Sequence, residues 1–533
     1  MTLLRTMAIF GVLLLLLAGA ISGVSVAQRR LNEIRTTAQL TETTPLANAP
    51  PLIAFTTVVL GGFRGLLADY LWFRANRLQE QGNYFEMVQL GSWIVKLQPR
   101  FTGATAFLAW NMAYNISVTF NSFADRWRWV QRGIELIRDE ALEYNPGDPD
   151  LLRELAWIYF HKLGQDMDDA NRYYKVQMAT QVTSVLGEPP VDWAALAAAP
   201  ASADALRLTL GEKTTFWQRL EQAKLSFDDL ERSFRKSGAF PAELQVDTLP
   251  PAQRSTLEFC LRRRWLWSAF RLDPAKVIAL DARYGKLDWR VPQTHAVYWA
   301  TEGLARADQE KDLGCERIVF QALNSIVRGG RIVYFKDLNT LESTPNLDLL
   351  DSTNQVYLDS MAKHPDNSSI KGGYENFLID GIVSLYTYGQ IKKATQYLAK
   401  ARQRFPGPKF MLNLDEFAMG ELGEDMSLAT HDQAQGAIQG YLIQSYYWLT
   451  LGDDDRANGC ELIARKLWQK YMAEVGNSSD ERRGLPPYAN MKKNAVERFL
   501  RTFPAILTDH LRQLLPKTES PSAPAPAAEG ALP

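Results

Sequence analysis

The chain has 533 residues, 46% of them hydrophobic and 22% charged, with 59 lysines and arginines against 60 aspartates and glutamates. That is enough apolar material for a large core, which excludes wholesale disorder, and the even charge leaves no basic excess, so no nucleic-acid partner is expected. Three scattered cysteines (Cys260, Cys315, Cys460) exclude both a disulfide framework and a four-cysteine zinc site.

Residues 7–27 carry no charge. At ~1.5 Å per helical residue, such a run reaches across a bilayer core of roughly 30 Å. Two fates fit residues 1–27. They form either an uncleaved transmembrane anchor or a secretory signal cut after the small residues Ser25-Val26-Ala27. The apolar length exceeds the roughly 7–15 residues of a signal peptide and favours the anchor. Arg29, Arg30 and Arg35 outnumber Arg5 across the run and argue for a cytoplasmic body. A short basic tail leading into an apolar run is also how exported chains begin, and the expectation adopted is a single-pass protein with an extracytoplasmic, periplasmic body.

Residues 28–51 read as a linker, because Thr36–Ala49 is rich in threonine, alanine and proline without periodicity. The apolar stretch Pro51–Phe63 is too short to span a membrane and ends at Arg64, so it reads as a core helix near the membrane surface. Helical patterning then runs over 52–186. Prolines and alanines between Glu188 and Ala203 open an irregular middle segment, 187–290, which includes a charged amphipathic helix at Phe216–Lys236. A second helical block covers 291–516, with one strand expected at 331–335. The tail 517–533, built of alanine, proline and serine, reads as disordered. The class is all-α.

Small residues recur in these blocks at positions where paired helices approach closely. In 68–99, Gly82 stands at an inter-helix turn, Tyr84 follows it, and Leu97-Gln98-Pro99 closes the second helix. Further on, Trp299, Gly303, Cys315 and Ala322 fall at spacings of 4, 12 and 7. Gly389, Ala394, Ala401 and Pro406 mark another pair, with Phe377 and Gly381 on its first helix, and Gly452, Ala457 and Ala464 mark a further one. A degenerate unit lies between Trp110 and Pro146, with an extended turn at 120–125, and Leu155, Ala156 and Tyr159 open the next. This pattern resembles the tetratricopeptide repeat, with divergent and interrupted units covering about half the chain in two blocks, 68–185 and 295–472. The resemblance implies an α-α superhelix of antiparallel helix pairs that binds a protein or peptide partner. In the register it gives the first unit, Asp69, Trp72, Asn76 and Gln79 face inward and are the candidate partner-binding residues.

Catalytic motifs are absent from the sequence: no phosphate loop, nucleophile elbow or zinc helix occurs, and the five histidines are dispersed. No enzyme activity, cofactor or metal is expected. Asp166, Asp168 and Asp169, like Asp453–Asp455, read as helix caps. His295, with Leu287-Asp288-Trp289-Arg290 before it and Trp299 after it, reads as core in preference to a ligand site. Arg262-Arg263-Arg264 with Trp265 and Trp267 reads as a solvated or membrane-facing helix. Tyr173-Tyr174 and Tyr446-Tyr447-Trp448 read as core packing in preference to partner anchors. The functional expectation is a membrane-tethered scaffold. The alternatives are an enzyme acting on envelope glycan, carried on a helical-repeat body, and a structural subunit of an envelope complex.

Overall fold

A computed structural model describes residues 2–37, 63–98, 101–187, 189–306, 309–335, 340–422, 431–476 and 484–515. Most of the expected linker, the apolar stretch 52–62, Pro99 and the tail 517–533 lie outside the described residues. The described chain is all-α apart from one antiparallel pair, β1 (Arg331–Phe335) and β2 (Thr340–Thr344), in which Arg331 pairs with Thr344. It divides into two compact units. One comprises residues 1–101 and 139–146, the other residues 102–138 and 147–533.

In the first unit, α1 spans Thr2–Thr37 and continues past Ala27 through residues that composition assigned to a linker. Leu15, Leu16, Leu17, Ile21, Val24 and Val26 on it are exposed. Among the described residues no helix is long and apolar enough to cross a membrane. Within the run 7–27, the side chains of residues 7–10, 12 and 14 are not among those described. Helix α2 (Phe63–Glu80) buries Ala68, Leu71, Ala75 and Leu78, one face at helical spacing, and α3 (Tyr84–Leu97) buries Met87, Leu90, Ile94 and Val95. The two pack as a hairpin. Ser92 Oγ donates to Glu140 Oε2 at 2.6 Å and ties residues 139–146 into this unit.

The second unit begins with α4 (Thr102–Trp110), which runs on through a π-helical turn at Asn111–Ile116. Next comes α5 (Phe123–Glu135). Helix α6 (Pro149–Trp157) starts where Asp148 Oδ1 accepts from the N–H groups of Asp150 and Leu151, with proline in its first turn. It too continues through a π-helical turn, Ile158–Leu163, before α7 (Asn171–Leu186). Helix α4 packs on both α5 and α6.

Six helices fill the middle segment: α8 (Trp193–Ala198), α9 (Ala203–Leu210), α10 (Thr215–Gln222), α11 (Phe227–Ser237), α12 (Pro251–Phe270) and α13 (Pro274–Tyr284). The single helix expected at Phe216–Lys236 is two. Lys224 takes φ +53°, and Ser226 with Asp229 forms a capping box that starts α11 afresh. Leu206, Phe216, Leu230, Phe234 and Leu257 give this segment its own core. The chain then returns as α14 (Pro292–Leu304), which packs directly against α6, so that α7 and the middle segment both lie in sequence between two helices that are neighbours in space.

Helix α15 (Gln309–Gly329) pairs with α14 and is followed by the strands, then by α16 (Leu350–Lys363) and the hairpin of α17 (Ser368–Thr387) and α18 (Ile391–Arg404). After α19 (Leu414–Glu421), the hairpin of α20 (His431–Thr450) and α21 (Asp454–Gly476) is closed by α22 (Tyr488–Thr502) and α23 (Ala505–Leu514). Three hairpins share one turn. Gly82, Gly389 and Gly452 take φ of +72°, +68° and +73°. In each the glycine N–H bonds the carbonyl three residues back, and the next N–H bonds the carbonyl five residues before it (Asn83 to Leu78, Gln390 to Leu385, Asp453 to Trp448). That is the Schellman closure, which favours glycine at the left-handed position.

Candidate functional site

The residues read from sequence as inner-face candidates lie on α2. Asp69 is exposed, whereas Trp72, Asn76 and Gln79 are half-buried beside the Ala68–Leu78 face. They share one flank of that helix, and all four belong to the first unit. The residues read as repeat-structural occupy varied environments. Gly303 is so close to α15 that a Cβ there would lie 2.7 Å from Cys315 Sγ. Trp299, Ala322, Ala394, Ala401, Ala457 and Ala464 are buried; Tyr84 is half-buried and Pro406 exposed.

A feature not read from sequence lies on α4 and α6 and their π-helical turns. Phe107, Trp110 and Tyr114 project from the first helix at i, i+3 and i+7; Glu154, Trp157 and His161 project from the second at the same spacing. Because the two helices pack together, the rings form a continuous series. Phe107 stacks on Trp110 (6.2 Å between centroids), Trp110 on Tyr114 (5.5 Å), Tyr114 meets His161 (5.7 Å), and His161 stacks on Trp157 (4.5 Å). The Tyr114 hydroxyl lies 3.2 Å from His161 Nδ1. Phe107 is exposed, and the other four rings are half-buried, so the series remains open along one side.

A buried charged network anchors this series from beneath. Lys162 Nζ donates to Asp168 Oδ2 at 2.5 Å, and Asp168 also accepts from the Tyr174 hydroxyl (3.1 Å), the Ala170 N–H (2.9 Å) and Arg126 (3.1 Å). Arg126 also pairs with Asp169. Burial alone pushes the Asp168 carboxyl up, but the Lys162 ammonium and the Ala170 N–H outweigh it and hold the group down at about 2. Burial raises the Tyr114 hydroxyl, with the Glu154 charge adding to it. Burial likewise raises Glu154 and lowers His161, the latter helped by the Lys162 charge. Glu154 Oε1 is buried without a hydrogen-bond partner.

The other sequence candidates resolve into structure. His295 is fully buried; its Nε2 lies 3.0 Å from the Trp289 carbonyl and its ring stacks on Tyr159 at 5.2 Å. Burial lowers its pKa from 6.5 to about 4. Arg290 pairs with Asp288 at 2.7 Å, alongside a cavity of about 510 Å³ lined in part by Trp193 and Trp289. Arg262 bonds Glu258 and the Val185 carbonyl, Arg263 the Ala197 and Ala199 carbonyls, and Arg264 Glu231, so these arginines brace the middle segment. Tyr174, Tyr446 and Trp448 are core residues. Asp453 caps α21 by accepting from the Arg456 N–H. Cys260, Cys315 and Cys460 are buried, which pushes each thiol up to about 11. Among the described residues no group of three metal-ligating side chains converges.

The aromatic series had a sequence signal: each half is a stripe at helical spacing. Such stripes usually mark core, and only the packing of two helices separated by α5 shows that their edges remain open. No protein-family model, curated protein or solved structure matches the chain.

Proposed function

We propose that the chain is a membrane-tethered helical-repeat scaffold of the tetratricopeptide type, whose paired helices capture a protein or peptide. The observation that carries this reading is the open aromatic series of Phe107, Trp110, Tyr114, His161 and Trp157 on two adjacent helices. Aromatic side chains at the surface dominate binding energy at protein interfaces. The shared glycine closure of three hairpins and the direct packing of α14 on α6 support the repeat reading. The apolar run 7–27 supplies the tether, and the short basic tail before it argues for a body on the extracytoplasmic side. Asp69, Trp72, Asn76 and Gln79 form a second candidate contact on the first unit.

The test is affinity capture with the full chain from gently solubilised membranes. A Trp110→Ala, Trp157→Ala double variant that retains wild-type helicity is expected to lose its recurrent polypeptide partner, and an Asn76→Ala, Gln79→Ala variant to weaken capture. Wild-type capture by the folded tryptophan variant would refute the site. Turnover of an envelope glycan by the purified protein would overturn the scaffold reading.

A further inference from the structure

Resting on that reading, we propose that the face formed by α4 and α6 takes a cationic side chain, a lysine or arginine within an otherwise uncharged peptide segment, with Glu154 as its counter-ion. Glu154 stands one helical turn before Trp157 and two before His161, and its charge acts on Tyr114 across the helix pair. The neighbouring charges are already matched within the protein. Lys162 and Arg126 meet Asp168, Arg126 also meets Asp169, and Arg153 meets Asp150 at 3.2 Å. Among the described residues Glu154 forms no salt bridge, and the one charge that acts on it is that of Arg153, which is already paired with Asp150. Its Oε1 is buried without a hydrogen-bond partner.

A half-buried carboxylate without a partner is costly, and an incoming cation relieves that cost as it binds. The Trp110 and Trp157 rings favour the same guest, because Trp faces attract ammonium and guanidinium groups and a planar guanidinium also stacks on them, whereas the Tyr114 ring already carries Lys162 Nζ at 5.4 Å from its centroid. An acidic or phosphorylated segment meets repulsion from Glu154. A saccharide also stacks on aromatic rings, but its hydroxyls leave the carboxylate's charge unbalanced. A cationic side chain is therefore the guest that answers both features.

The experiment uses full-length protein in detergent micelles and dye-labelled peptides with a single central residue (Arg, Lys, Gln or Glu) between alanines and leucines, followed by fluorescence anisotropy. The arginine and lysine peptides are expected to bind at least about tenfold more tightly than the glutamine peptide, and the glutamate peptide least. Glu154→Gln, which is nearly isosteric, is expected to erase that preference, and Trp157→Ala to weaken all four peptides. If Trp157→Ala loses its helical signal, Trp157→Phe replaces it, and Glu154→Gln still decides the question. Equal affinities for the arginine and glutamine peptides, a preference that survives Glu154→Gln, or competition by a chitin oligosaccharide overturns the inference. Its failure is separable from that of the scaffold reading. Partner capture lost with Trp110→Ala, Trp157→Ala but retained with Glu154→Gln sinks only the cation, whereas capture retained by both variants sinks the scaffold site as well.

Discussion

His295 shows how burial sets the acid response of this protein. Its ring is enclosed by Tyr159, Phe270 and Trp289, and Nε2 lies on the Trp289 carbonyl, so the neutral imidazole is the form the fold accepts. With a folded pKa of about 4 against 6.5, the unfolded chain takes up a proton at a pH where the native chain does not. The contribution to stability is therefore complete above pH 6.5 and falls as pH drops towards 4, by about 3 kcal/mol in total. His161, also lowered, acts with the same sign. Asp168 behaves as a depressed carboxylate: its stabilisation holds above the ordinary carboxylate range and fades only as pH falls towards 2. The melting temperature is expected to decline between pH 6.5 and 4.5, and His295→Gln, though less stable at pH 7, to decline less over the same interval. Equal slopes for the two proteins would mean that His295 is hydrated and titrates normally.

At the scale of helices, glycine does two different jobs, and substitution separates them. Gly82 has a positive φ, and a Cβ added there would meet nothing within 4 Å, so its role is conformational. Gly459 on α21 has ordinary helical backbone, but a Cβ there would lie 1.1 Å from the Thr387 carbonyl oxygen at the end of α17. Gly82→Val is expected to cost ~1 kcal/mol or somewhat more through backbone strain. Gly459→Ala is expected to cost about 3 kcal/mol or more, because backbone must separate from backbone. Thermal melts of the two variants decide this, and a Gly459→Ala protein as stable as wild type would show that α17 and α21 do not meet there. The first role was legible in the sequence and the second was not. A glycine between two apolar stripes, followed by a second helix that ends at Leu97, announces a turn by local chemistry alone. Gly459 touches a residue 72 positions away, and no local pattern encodes that. The aromatic series was hidden for the same reason: Trp110 and Trp157 sit on separate stripes, and each alone reads as core. The break in 215–237 was legible in principle, since Ser226 and Asp229 spell a capping box, but the continuous amphipathic pattern masked it.

For the whole molecule, the decisive question is what covers the apolar surface of the first unit. Helix α1 is 36 residues long, and among the described residues no helix is long and apolar enough to cross a membrane. Among its described side chains, the consecutive Leu15, Leu16 and Leu17 are all exposed, Leu15 at 73%. On α2 of the same unit, Leu66, Tyr70 and Phe73 form an exposed stripe opposite the buried Ala68–Leu78 face. Water disfavours contiguous apolar surface of this kind, whereas acyl chains and the interfacial zone accept it, with tyrosine at the boundary. If the proposed tether at residues 7–27 holds, insertion and not charge pairing at the surface is what retains the chain. Alkaline carbonate strips proteins held by electrostatic contact and leaves inserted helices in place. The full chain is expected to stay in the membrane pellet after that wash, and a chain in which Leu15, Leu16 and Leu17 are each replaced by Arg is expected to leave it, since each charge at a helix centre costs about 2.5–3.5 kcal/mol on insertion scales. Quantitative recovery of the wild-type protein in the wash, shortened by about the length of an N-terminal signal, would instead identify residues 1–27 as cleaved and leave the paired helices as a free extracytoplasmic body.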